Sequence, residues 1–228
     1  MMVKKKRWIV VVVIVVLGAL LFGGIGMVIK KTVKEETHQL DKIQSLHIVA
    51  NMAEISISLT DGDALKIIQY SQKKVDATFQ YDAAIENGIL TIMDKSQKVP
   101  YSFGVEGSPG ISYEIQLPMS YSGSVKIILN QGNIIMNSGQ GVFNLADINI
   151  ENTGVGNINI GTLAVTGNSQ ISTGRGNINL TLNENSDYKV NTKANSGNVT
   201  VADVFSNGMC EITVTSEQGN ITVEASSK

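Results

Sequence analysis

One phrase returns five times between residues 131 and 223, and it restricts what this chain can fold into. It reads Gln131-Gly132-Asn133-Ile134-Ile135-Met136, then Val155-Gly156-Asn157-Ile158-Asn159-Ile160, then Arg175-Gly176-Asn177-Ile178-Asn179-Leu180. Ser196-Gly197-Asn198-Val199-Thr200-Val201 and Gln218-Gly219-Asn220-Ile221-Thr222-Val223 complete the set. Successive glycines stand 24, 20, 21 and 22 residues apart. A near-constant period with strand chemistry in every copy is the signature of stacked repeats. Glycine supplies the positive φ a corner needs, and asparagine tolerates the neighbouring strained region better than most residues. Beyond each corner the residues alternate: Ile158/Ile160, Ile178/Leu180, Val199/Val201 and Ile221/Val223 face inward, and Asn159, Asn179, Thr200 and Thr222 outward.

Second strands lie between the copies, at Val142–Leu145, Leu163–Thr166, Tyr188–Asn191 and Glu211–Val214. The fold class expected is therefore all-β: a single-stranded β-helix or β-solenoid of ~21-residue coils. Stacking at about 4.8 Å per strand would align Asn133, Asn157, Asn177, Asn198 and Asn220 in a ladder, each side-chain amide bonding to the next. The alternation reaches back to Ser45, through Leu46/Ile48/Ala50 and Ile55/Ile57/Leu59, so the β-domain is expected over residues 45–228. Residues 95–110 interrupt it with two prolines and three glycines, an insertion whose Tyr101 and Phe103 form the candidate binding loop.

Ahead of the domain, Trp8 to Ile29 runs 22 residues without a charge. As a helix this covers roughly 33 Å, enough for a hydrocarbon core, so one N-terminal transmembrane helix is expected at 8–29. The basic tail at residues 1–7 (Lys4, Lys5, Lys6, Arg7) stays cytoplasmic by the positive-inside rule, and the β-domain faces outward. Residues 30–44 read as a polar juxtamembrane linker. A cleaved signal peptide is the competing reading, opposed by the length of the apolar run and the lack of an Ala-x-Ala site.

Charge is unevenly spread. Residues 1–34 hold seven basic groups and no acid, leaving 11 basic against 20 acidic side chains, a formal −9, on the remainder. Such a surface has no footprint for nucleic acid. Cys210 is the only cysteine, so no internal disulfide forms. His38 and His47 stand apart from other metal-ligating residues, and no metal or cofactor is expected. Gly154-Val155-Gly156 and Gly174-Arg175-Gly176 are corner glycines rather than nucleotide loops, because no third glycine or helix follows. The nearest acidic pair, Glu184 and Asp187, flanks a turn, and no convergent acid–base set can be assembled.

The Gly-Asn-Ile-x-Ile phrase, the strand-closing Leu117-Pro118 and the apolar segment in front resemble the bacterial β-strand-repeat family named "putative adhesin", over roughly residues 45–225. The resemblance implies an envelope β-solenoid of unassigned activity. Some members of that family belong to Lia-type responses to membrane-active antimicrobials, and it supplies no catalytic residues. The chain is thus expected to be a single-pass membrane protein whose non-catalytic ectodomain binds or senses at the cell envelope. Envelope polymers, cationic peptides or a protein are its expected partners. A self-assembling, bactofilin-like scaffold joined through the ends of the stack is the alternative, and a polysaccharide-acting enzyme a distant one.

Overall fold

The computed structural model describes residues 31–72, 80–94, 110–184 and 187–226. The basic tail, the expected transmembrane helix and the Tyr101/Phe103 loop lie outside the described residues. Among those described, no helix is long and apolar enough to cross a membrane.

The described residues are all-β, with short 3-10 turns at Leu40–Lys42 and Asp203–Phe205. The strands are β1 (Lys31–Gln39), β2 (Ser45–Met52), β3 (Glu54–Thr60), β4 (Ala64–Ser71), β5 (Tyr81–Glu86) and β6 (Ile89–Asp94). There follow β7 (Ile111–Pro118), β8 (Ser124–Gln131), β9 (Ile134–Asn137), β10 (Phe143–Leu145), β11 (Ile148–Val155) and β12 (Ile158–Val165). The last are β13 (Ser169–Arg175), β14 (Ile178–Asn183), β15 (Tyr188–Ala194), β16 (Val199–Val201), β17 (Cys210–Gln218) and β18 (Ile221–Ser226).

They form two sheets. The ten-stranded sheet runs β1-β4-β7-β3-β9-β12-β14-β18-β16, with β10 beside β12. The eight-stranded sheet runs β15-β17-β13-β11-β8-β2-β6-β5. The inward faces of both sheets share one core, built as columns of equivalent side chains. One column is Ile48, Ile127, Ile150, Ile171 and Val214; another is Ile57, Met136, Ile160, Leu180 and Val223. All ten side chains are buried. Each contributes about 1.5–3 kcal/mol by leaving water, which is what holds a chain so poor in aromatics together.

The expected single-stranded solenoid of successive ~21-residue coils is not what forms. Each repeat contributes one strand to each sheet, and the resulting rungs are not stacked in chain order. Along the stack they run β6/β7, β2/β3, β8/β9, β11/β12, β13/β14, β17/β18 and β15/β16. The last repeat therefore inserts beneath the one before it. The side chains account for this. The β17/β18 rung carries Ile212, Val214, Ile221 and Val223, all buried, whereas β15/β16 buries only Tyr188 and otherwise offers Val190, Thr192, Ala194, Val199 and Val201, half-buried or exposed. The more apolar rung takes the interior.

The crossing from β16 to β17 passes over the start of β15, where Gly208 donates to the Tyr188 carbonyl at 2.9 Å. A Cβ there would stand 2.2 Å from that carbonyl carbon, so glycine is needed for the passage. Phe205 packs against Tyr188 at 6.1 Å between ring centroids.

At the opposite end the parallel pattern gives way to antiparallel strands, β4 on β7, β1 on β4 and β5 on β6. Residues 31–39, expected as part of a polar linker, are thus the edge strand β1. It buries no apolar side chain, which is why alternation does not reveal it. Lys34, Glu36 and His38 lie opposite the core residues Gln69, Ile67 and Leu65 of β4. Lys34 Nζ bonds the Tyr81 carbonyl at 2.9 Å, sits 4.1 Å from the Tyr81 ring centroid and pairs with Glu36 at 2.7 Å. An edge strand with charges turned toward the core discourages further pairing.

Candidate functional site

The five Gly-Asn copies converge on one corner of the stack. Gly132, Gly176, Gly197 and Gly219 have φ of +132°, +149°, +144° and +146°, a region that L side chains rarely adopt. Close approach adds a second requirement. A Cβ on Gly176 would lie 2.2 Å from the Gly156 carbonyl oxygen, and one on Gly219 would lie 2.1 Å from that of Gly176. Gly156 does not share the left-handed φ, yet its Cβ would stand 1.9 Å from the Gly132 oxygen. The corner backbones touch because each glycine N–H donates to the neighbouring rung: Gly132 to Val155, Gly156 to Arg175, Gly176 to Gln218 and Gly219 to Ser196, at 2.8–2.9 Å.

The asparagines continue this contact through their side chains. Asn133 Oδ1 accepts from the Asn157 N–H at 2.9 Å, Asn157 Oδ1 from Asn177 at 2.8 Å and Asn177 Oδ1 from Asn220 at 2.8 Å. Asn220 Oδ1 then accepts from Asn198 at 2.9 Å. The ladder order 133-157-177-220-198 is that of the rungs and not of the chain. Each of these oxygens serves the structure. None of the five Nδ2 groups donates within the described residues, so the corner presents a row of unused amide donors.

A second row runs beside it on the outer face of the ten-stranded sheet. Ser56, Ile135, Asn159, Asn179, Thr222 and Thr200 are register partners in that order. Asn179 Nδ2 donates to Asn159 Oδ1 at 2.7 Å. Toward β1 the same row becomes apolar and acidic, as Glu114, Ile68 and Glu35. The outward positions of Asn159, Asn179, Thr200 and Thr222 follow from alternation. The arrival of Ser56 and Ile135 in their row depends on rung order and does not.

Other polar groups are dispersed. Ser124 Oγ donates to Asp147 Oδ2 at 2.6 Å, and Asn191 Nδ2 donates to Glu211 Oε1. A shallow depression of about 340 Å³ between Asp147 and Glu211 is lined mainly by amides and hydroxyls. Among the described residues, no group of three His, Cys, Asp or Glu side chains could hold a metal ion. Burial pushes the half-buried Cys210 thiol up, with the Asp187 carboxylate adding to it, which favours the unreactive protonated form.

His47 lies beside Lys126 on the eight-stranded sheet. Burial first, and then the Lys126 charge, lower its pKa, while Asp147 works in the opposite direction. An imidazole with a lowered pKa binds its proton less readily folded than unfolded. Its contribution to stability is therefore lost as pH falls through the range between the lowered value and the ordinary 6.5. Proton NMR titration is expected to show the His47 midpoint rising in Lys126→Gln and falling further in Asp147→Asn.

Comparison with known proteins follows this architecture. A solved structure described as a "putative cell adhesion protein" from Clostridium sporogenes is similar over 86% of this chain and all of its own, with a TM-score of 0.56 at 13% identity. A "putative adhesin" from Bacteroides fragilis aligns over 86% of this chain and 97% of its own, with a TM-score of 0.39 at 12% identity. No curated protein matches the sequence. The first likeness concerns fold alone. Residues 108–224, which contain every Gly-Asn corner, match the Toastrack DUF4097 family, and the chain belongs to that family.

Proposed function

We propose that this protein is a non-catalytic binding module of the bacterial cell envelope, held by its N-terminal apolar segment with the β-domain outside the membrane. The observation that carries this reading is the corner and its neighbouring row. Together they form a repeated, rigid and uncharged polar surface on an otherwise acidic domain. Rigid arrays of identical groups suit recognition of a repeating surface, because ordering costs are met in folding rather than on binding. Likeness of fold to a structure described as a "putative cell adhesion protein" supports it. The dispersal of acids and bases among the described residues favours binding over catalysis.

The acidic excess favours a second reading, in which cationic amphipathic peptides are attracted by long-range charge and the module senses them. One experiment separates the two. Full-length protein in zwitterionic detergent is co-sedimented with isolated envelope material, and separately titrated with a cationic amphipathic peptide at low and high salt. Salt-resistant co-sedimentation is expected for the binding module. Peptide binding that vanishes with salt, without capture by envelope material, would replace it with the sensor.

A further inference from the structure

We propose that the asparagine corner and the row beside it bind an uncharged, linear β-1,4-linked glycan lying along the stack, across the strands. This rests on the envelope-binding reading and names its ligand and site. Three properties of the surface select the ligand.

The first is spacing. The rungs repeat at about 4.8 Å, the separation of hydrogen-bonded strands. The advance per sugar of a β-1,4-linked glycan is close to one rung, and because each sugar is turned about half a revolution from the last, alternate sugars present the same edge to every second rung. An extended peptide advances about 3.4 Å per residue, or nearly 7 Å between side chains on one face, and falls out of step within two rungs.

The second is hydrogen-bond polarity. In the corner row Oδ1 of Asn133, Asn157, Asn177 and Asn220 is occupied by the next rung's N–H. The two hydrogens on each Nδ2 remain. The surface therefore asks for one acceptor per step, which glycan hydroxyl, ring and acetamido oxygens provide. In the outer row Asn159 Oδ1 is used by Asn179, leaving Asn159 Nδ2 and Asn179 Oδ1 to face the ligand with the Thr222 and Thr200 hydroxyls. Ile135, 45% exposed in the same row, offers an apolar patch for the C–H face of a sugar ring.

The third is charge. Phosphate- or carboxylate-bearing polymers would also accept from amides, but the formal −9 outside residues 1–34 repels them. From Ser56 to Thr200 the outer row carries no ionisable side chain. Six strands span about 24 Å at the rung spacing, room for roughly five sugars.

The test uses full-length protein in zwitterionic detergent, titrated by NMR and calorimetry with the β-1,4-linked hexamer and dimer of N-acetylglucosamine. The hexamer is expected to bind at least tenfold more tightly than the dimer and to shift the Nδ2 resonances of the corner asparagines. Asn179→Lys and Thr222→Lys, at exposed or half-exposed outer positions, should each weaken the hexamer at least tenfold. Gln170→Lys, on the outer face of the other sheet, should leave it unchanged. Equal affinity for dimer and hexamer, or an equal loss with Gln170→Lys, overturns the proposal. If envelope material captures the protein but the hexamer does not bind, the glycan assignment falls and the envelope-binding reading stands. If neither binds, both fall.

Discussion

Gly176→Ala is expected to destabilise the protein by at least about 3 kcal/mol, read as a lowered urea midpoint with an unchanged slope. Two penalties coincide at this position. Its φ of +149° strains any L residue, and the added Cβ would lie 2.2 Å from the Gly156 oxygen and 2.6 Å from its carbonyl carbon. Backbone atoms cannot rotate aside as a side chain can, so the two rungs must separate and the hydrogen bond from the Gly156 N–H to the Arg175 carbonyl must lengthen. Two comparisons divide the effect. Gly139 has φ +57° with nothing within 4 Å of its added Cβ, so Gly139→Ala carries only the conformational penalty, about 1–2 kcal/mol. Gly156 lacks the left-handed φ but has the closer contact, 1.9 Å, so Gly156→Ala isolates the steric one. A Gly176→Ala variant no weaker than Gly139→Ala would show that the rungs do not touch at this corner.

Removing residues 207–228 is expected to do more damage than shortening a stack from its end. In a stack built in chain order the missing repeat would be terminal, and every earlier rung would keep its neighbour. Here β17 lies between β13 and β15, and β18 between β14 and β16. Deleting them removes the parallel partners of β15 and β16 and leaves Ile171, Leu180 and their column without a covering layer. Hydrogen exchange should find the amides of Tyr188–Ala194 and Val199–Val201 unprotected in the truncated chain, while β8 and β11 retain protection. Full protection of β15 in that variant would contradict the rung order.

How far the amino-acid sequence disclosed all this varies with the range of the forces involved. The corners were legible because their requirements are local. At four of the five corners a positive φ calls for glycine, and the two-residue alternation that follows assigns each side chain a face; the asparagines keep ordinary backbone and serve through their side chains instead. That the asparagines line up was legible for the same reason, since equivalent positions in stacked strands coincide, but their bonding, Oδ1 to the next rung's backbone N–H rather than amide to amide, was not. Rung order was not. The copies beginning at Ser196 and Gln218 offer nearly the same phrase, and what separates them is how much apolar area each rung brings. Thr192 and Ala194 set against Val214 and Ser216 make a difference of a few methyl groups, decided only when both rungs compete for one place. β1 escaped for another reason. Lys34, Glu36 and His38 break the apolar alternation, yet β4 presents unpaired backbone groups beside a buried Leu65 and Ile67, and pairing satisfies them. Nothing short of the tertiary structure calls for a strand there.

The two ends of the longer sheet are therefore unequal, and this sets a valence. At one end β1 turns Lys34 and Glu36 toward the core, and a further strand added there would have to bury ionised groups beneath it. At the other, β16 ends the sheet with half-buried Val201 and exposed Val199 and carries no such guard. Continuous growth of a fibre needs two complementary ends on every unit. A unit with one receptive end can join once, to a like end or to a different partner, and then stops. Joining through the edges of this sheet is therefore expected to stop at a fixed stoichiometry, in a product whose length does not increase with concentration.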